Sequence, residues 1–339
     1  MNFLLMEMTH LRYWMPMVVE GNRRKIQSTF YIGPSHKYNC PMRHESVLRK
    51  LAQKHNINIL PLNKLKDAKG LLFSSEKTGI THVKQAENVT KIAATYQTDF
   101  IESYHLYVDH VDHVLMPSKF CAEYYGLTTE KNLFLGIPKY DVPLNKEEVL
   151  NKYSIPADKK RALIVWPKRR DEGQVDIKTI FNALKKQGFT LMVKTRGKDP
   201  LTQDAIQTLR KKNDFYFEDD SWHPHTTQEL LEVSDVVVNF GSTTIEECVM
   251  QDVPLINFDV KPEFRNGNKK KFRVTHDYLY DYDYCVEMPK DCKESQVAAA
   301  VTYLTNADLS AEFKKARQNH LFDHKDSCKR ILDVLLYQI

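Results

Sequence analysis

A chain of 339 residues has room for about two domains of ordinary size. At 42% hydrophobic and 27% charged, with a net charge of +5, it has ample core; the mild positive balance suits anionic small molecules without calling for nucleic acid. No run of about 18 apolar residues exists for a membrane-spanning helix, and acidic Glu7 sits in an apolar start that lacks the basic end and long centre of a signal peptide.

The first half alternates strand-like and helix-like segments. Residues 3–8, 25–32, 57–62, 70–73, 91–95, 113–117 and 132–135 read as strands, and 42–55 as a helix with Val47, Leu48, Leu51 and Ala52 on one face. A second helix, 118–125, closes at Gly126. Alternation with buried strands predicts a doubly wound α/β domain. Polar clusters follow several strands: Thr9-His10-Leu11-Arg12, Gly33-Pro34-Ser35-His36-Lys37 and Tyr96-Gln97-Thr98-Asp99. Each falls where ligand loops of open α/β sheets lie, and each also reads as a plain solvated loop.

Residues 136–145 carry Pro138 and Pro143 and break the pattern. They place a domain boundary between Gly136 and Arg161, giving domains 1–145 and 146–325 and a closing helix, 326–339, able to pack back on the first domain. The second half resumes with strands at 162–166, 189–193 and 215–217 and helices at 146–153, 175–187, 203–212 and 226–233, the last starting at a Thr-Thr cap. Two basic clusters, Lys168-Arg169-Arg170 and Lys194-x-Arg196-x-Lys198, come just after strands. Then comes the most informative stretch: a β-branched strand at 236–240, a turn at Gly241, and a helix reaching 251. Ser242, Thr243 and Thr244 are N-cap candidates, with Glu246 and Glu247 at capping-box distance. A helix start with unpaired N–H groups suits phosphate, and a capped helix with no ligand is the alternative. A strand at 253–258 and helices at 294–304, 309–320 and 326–336 complete the reading.

Other features point less far. Cys40, Cys121, Cys248, Cys285, Cys292 and Cys328 form no C-x-x-C pair and read as free thiols of a cytoplasmic protein. His105, His110 and His113, like His223 and His225, lack metal-ligand spacing. The run Lys269–Lys271 with Arg265 and Arg273 lies among tyrosines, but Asp277, Asp281 and Asp283 cancel its field, so acceptor contact or solvent exposure is preferred to nucleic acid.

Two α/β halves and a closing helix resemble the GT-B glycosyltransferase architecture, two Rossmann-like domains facing across a cleft. The stretch 234–247 is similar to the donor-site motif of two groups: the CDP-glycerol glycerophosphotransferases with related surface-polysaccharide transferases, and the non-hydrolysing UDP-N-acetylglucosamine 2-epimerases. Met116-Pro117-Ser118, Gly136-x-Pro138-Lys139-Tyr140-Asp141 and Ser327-x-x-Arg330 also resemble the transferases. The resemblance implies a nucleotide diphosphate, as substrate and not cofactor, on the Gly241, Ser242, Thr243, Thr244 turn. Glu246 or Glu247 would take its ribose, and Arg169 or Arg170 with Lys194 and Arg196 would neutralise the leaving phosphate without a metal. Pro167-Lys168-Arg169-Arg170-Asp171 lacks the histidine of the epimerases, and residues 96–99 lack the histidine the transferases use as base. The base is then expected among Asp99, His10, His36 or another residue, with Asp99 and His10 preferred.

The resulting expectation is a metal-independent glycosyltransferase of polysaccharide biosynthesis moving a sugar, or glycerol phosphate, to a glycan or polyol hydroxyl. A 2-epimerase of the same fold and a non-catalytic nucleotide-sugar binder are the alternatives. Peripheral membrane association stays open, without a strongly amphipathic basic helix to support it, as does the oligomeric state.

Overall fold

A computed structural model describes residues 1–34, 39–75, 79–95, 104–196, 199–218, 222–260, 278–321 and 325–337, the side chains of Ile80 and Arg170 excepted. The expectations placed on Ser35 to Lys37, Tyr96 to Asp99, Lys198 and the 265–277 basic run lie outside these residues. The chain divides into two compact units, Met1–Val142 with His320–Ile339, and Pro143–Asn319.

The first unit is built on seven parallel strands: β1 (Asn2–Leu5), β2 (Ser28–Ile32), β3 (Ile57–Pro61), β4 (Gly70–Ser75), β5 (Val89–Ala94), β6 (His113–Leu115) and β7 (Asn132–Leu133). Their order is β3-β2-β1-β4-β5-β6-β7. Aromatic packing centres on Phe3, stacked on Phe73 at 5.2 Å, edge-on to Phe30 at 5.6 Å and 5.7 Å from Trp14. Trp14 belongs to the helix Leu11–Arg23, which together with the 3-10 turn Met8–His10 takes up residues 9–12, the stretch expected to open as a ligand loop. Pro16 inside it removes one backbone donor, a change that costs an isolated helix about 3 kcal/mol. Burial of Leu11, Tyr13, Trp14, Met15, Met17 and Val18 outweighs that, because each large apolar side chain contributes roughly 1.5–3 kcal/mol.

The closing helix, Ser327–Tyr337, is held by segments far from it in sequence. The Asp141 carboxylate accepts from the backbone N–H groups of Asp326 (3.2 Å) and Cys328 (2.8 Å), satisfying donors at the helix start. Arg330 Nε donates to the Leu135 carbonyl at 3.3 Å, and Arg24 pairs with Asp333 at 2.6 Å. Two of the segments that carried the family resemblance, 136–141 and 327–330, are therefore each other's partners in this unit.

The second unit has six parallel strands: β8 (Lys160–Val165), β9 (Phe189–Lys194), β10 (Phe215–Phe217), β11 (Val236–Asn239), β12 (Leu255–Phe258) and β13 (Cys285–Met288), in the order β10-β9-β8-β11-β12-β13. Strand β13 was not anticipated; exposed Glu287 interrupts its apolar pattern. Tyr284, just before it, stacks on Phe313 at 4.5 Å, and burial drives its phenol pKa far up. Both sheets share one plan: the strands run outward from the first, then restart on its other side.

Two expected helix starts differ. The helix Thr226–Glu232 is preceded by His225, which makes no side-chain cap bond, and Thr226 and Thr227 are buried inside it. The helix Thr244–Met250 has Thr243 before it, also without a side-chain cap bond, so the capping box on Glu246 and Glu247 is absent. Those carboxylates are 1% and 5% exposed, on a helix buried almost all round. Packing, not the local cap pattern, decides where they point.

Candidate functional site

In an open parallel sheet, ligands gather beyond the carboxyl ends of the strands where the strand order reverses. In the second unit that place lies between β8 and β11, with β9 on the other side of β8. Neighbouring strands stand about 4.8 Å apart, so the exits of β9, β8 and β11 span roughly 10 Å. These are the exits that carry Lys194 and Arg196, Lys168 and Arg169, and the Gly241–Thr244 turn, respectively. The fold thus brings the basic clusters and the hydroxyl-rich turn to one edge.

The individual side chains differ in availability. Arg169 is exposed, in a short turn closed by Asp171 N–H donating to the Lys168 carbonyl at 2.7 Å. Trp166 Nε1 donates to Glu172 at 2.9 Å and anchors the same loop. Lys194 is only 6% exposed, whereas Arg196 is half-buried and its backbone carbonyl accepts from the Asp199 N–H at 2.9 Å. The Tyr216 hydroxyl accepts from Leu201 N–H (3.1 Å), shares a bond with Thr195 (2.9 Å) and donates to Glu218 (3.2 Å), tying the Arg196 loop down from β10. Burial, aided by the Glu218 charge, pushes its phenol pKa up. Arg170 has no described side chain.

The turn itself begins at Gly241, whose φ of +59 is left-handed. Its N–H donates to Asn257 Oδ1 at 3.1 Å, and the same oxygen accepts from Asn239 Nδ2 at 2.9 Å. Asn257 Nδ2 donates to Glu287 at 3.3 Å. Asn239, Asn257 and Glu287 stand opposite one another in register across β11, β12 and β13, forming a polar row beneath the turn. The Tyr280 hydroxyl adds a bond to the Ser242 carbonyl at 3.4 Å. Ser242 and Thr243 are half-buried, and Ser242 Oγ lies 3.2 Å from Thr244 Oγ1. None of Asn239, Asn257 or Glu287 was singled out from the sequence, and Tyr280 entered only among the tyrosines near the 265–273 basic run. The available signal was one polar residue in each of three otherwise apolar strands. The thiol of Cys248, behind the turn, is pushed well up by burial and then by the Glu247 charge, which makes it unreactive.

In the first unit the corresponding edge carries Glu7, Thr9 and His10. Asn39 Nδ2 donates to Glu7 Oε2 at 2.8 Å, and Thr9 lies 3.4 Å from the same oxygen. His10 is 1% exposed, its ring edge-on to Trp14 at 6.4 Å, rather than in an open loop. Asp99 lies outside the described residues. Among the described residues no three His, Cys, Asp or Glu side chains are grouped to hold a metal, and no helix is long and apolar enough to cross a membrane. All six cysteines are free, and all but Cys292 are buried.

Two parallel α/β sheets of this plan give the chain the GT-B fold. Among solved structures, the wall teichoic acid polymerase TagF (H548A variant) is similar at 13% identity over 98% of this chain and 87% of its own, with a TM-score of 0.68. A protein assigned as a UDP-N-acetylglucosamine 2-epimerase in Listeria monocytogenes is similar at 12% identity over 98% and 95%, TM-score 0.64. The glycotransferase of kitacinnamycin is similar at 11% identity over 98% and 97%, TM-score 0.63. No protein-family model matches the chain, and no curated protein matches it. At these identities the likeness is one of fold.

Proposed function

We propose that the chain is a transferase that takes a nucleotide-diphosphate-activated donor and moves its sugar, or a glycerol phosphate, to a hydroxyl of a glycan or polyol. The observation that carries this reading is the switch-point edge of the second sheet. There a left-handed glycine turn, fixed by buried amides, lies beside two strand exits bearing Arg169 and Arg196.

The chemistry follows from charge. In sugar transfer the acceptor O–H loses its proton to a base, its oxygen bonds to the anomeric carbon, and the carbon–phosphate oxygen bond breaks. The electron pair leaves on the diphosphate, so cationic groups at that oxygen lower the barrier and no metal is required. Exposed Arg169 and half-buried Arg196 suit this role, Arg being able to grip phosphate oxygens in pairs. Ser242 and Thr243 supply hydroxyl and backbone donors. Glu246 and Glu247 reach a ribose only if their burial is relieved, so we place the donor contacts on the more accessible groups. Asp99 is our base for the acceptor, since His10 is enclosed.

The test is product release from a panel of nucleotide-activated donors with hydroxyl acceptors: nucleoside diphosphate for sugar transfer, or nucleoside monophosphate for glycerol phosphate transfer, in which the acceptor oxygen bonds to the distal phosphorus and the P–O–P bond breaks. Arg169→Ala should lower turnover roughly 10²–10³-fold, the usual loss for one donor to a developing charge. Unchanged turnover would remove Arg169 from the site. Solvent deuterium entering the sugar at C2 with donor alone would identify epimerisation instead.

A further inference from the structure

The strand Val236–Asn239 is apolar and fully buried until its last residue, where an amide replaces the aliphatic side chain its neighbours lead one to expect. Asn239 is 0% exposed. Its Nδ2 donates to Asn257 Oδ1 at 2.9 Å and, at longer range, to the Ser242 carbonyl and the Tyr280 hydroxyl, both at 3.3 Å. A carbonyl only accepts, so Ser242 fixes which end of the amide is nitrogen. The other end, Oδ1, is buried and accepts no bond among the described residues.

A buried acceptor without a donor destabilises a fold, and an apolar side chain of similar shape would avoid that penalty. Nor do its partners depend on Asn239. Asn257 Oδ1 would keep the Gly241 N–H, and the Ser242 carbonyl would keep the Tyr280 hydroxyl. Removing the amide therefore orphans nothing, so the fold has no need of it. What the amide does is tie the turn at two points: directly at the Ser242 carbonyl, and through Asn257 at the Gly241 N–H. Positions that break a local rule without a structural gain are where function is expected.

We infer that Asn239 is a positioning residue: it holds the Gly241–Thr243 turn in the shape that binds the donor diphosphate, at a cost to the stability of the fold. The inference rests on the donor-site reading above. Asn239→Leu, close in shape, and Asn239→Val, matching the preceding strand residues, test it. Melting temperature without ligand and nucleoside-diphosphate Kd are measured on the same samples, with circular dichroism to verify the fold. Both variants should melt at or above the wild-type temperature while Kd weakens about tenfold or more, a difference of at least 1.4 kcal/mol. That divergence is what a merely structural residue would not produce. Melting temperature and affinity falling together in both variants would make Asn239 an ordinary fold residue, and unchanged affinity would show that it positions nothing. If the wild type binds none of the nucleoside diphosphates, the donor-site reading fails first and this inference falls with it.

Discussion

Gly241→Ala isolates the backbone geometry on which the candidate site depends. The residue has φ of +59, and a Cβ built there meets nothing within 4 Å. Steric crowding therefore contributes nothing, and the whole penalty is that of placing an L side chain in left-handed backbone, about 1–2 kcal/mol. If the native φ suited alanine, the same change would instead stabilise by about 0.4–1 kcal/mol, through the less flexible unfolded chain. The two cases differ in sign. Urea unfolding at constant m gives the difference directly. We expect Gly241→Ala to lose about 1–2 kcal/mol and Gly241→Asn to recover most of it, because asparagine tolerates left-handed backbone. Gly241→Ala as stable as wild type would refute the left-handed turn and the phosphate geometry built on it.

Further expectations concern the frame around the site. Glu229 is 4% exposed and held by both Lys152 Nζ contacts at 2.7 Å and by the Tyr153 hydroxyl at 2.5 Å. Lys152→Met should destabilise by about 1–3 kcal/mol, below the 3–5 of a fully buried pair because the lysine is half-exposed and Tyr153 remains; a loss under about 0.5 kcal/mol in denaturant unfolding would refute the clamp. Burial raises the Glu232 carboxyl pKa above its ordinary range, against opposing effects from Gln251 and Lys146. A raised folded-state pKa means stability fully present below the unfolded pKa and lost as pH rises through the folded one. Stability of wild type relative to Glu232→Gln should therefore fall as pH climbs through the mid-acid range, and a flat or rising difference would contradict the burial effect.

Much of the frame was legible in the sequence because parallel α/β topology leaves few choices. Once 162–166, 189–193 and 236–240 read as parallel strands of one sheet, Arg169, Arg196 and Gly241 had to leave on one edge, whatever the strand order. The Leu11–Arg23 helix was hidden because Pro16 argues against a helix locally, and only tertiary burial overrides it. The cap pattern at Thr243 and Glu246 misled for the related reason that a seven-residue helix enclosed by protein takes its orientation from packing. The amide row was illegible for a different reason. Asn239 and Asn257 are 18 residues apart and Glu287 another 30 beyond, so only the register of three strands makes them neighbours.

The most direct test of the account is a thermal-shift panel of UDP, CDP, GDP, ADP and TDP on the wild type and on Arg169→Ala/Arg196→Ala. Neither arginine is fully buried, so the double variant should fold normally. A ligand at about a hundred times its Kd adds about 2.7 kcal/mol, roughly 5–10 °C for a unit of this size. The account predicts a shift on that scale with one nucleotide and its near-complete loss in the double variant. A flat panel, or a shift that survives both substitutions, would contradict a diphosphate site at the β8–β11 edge.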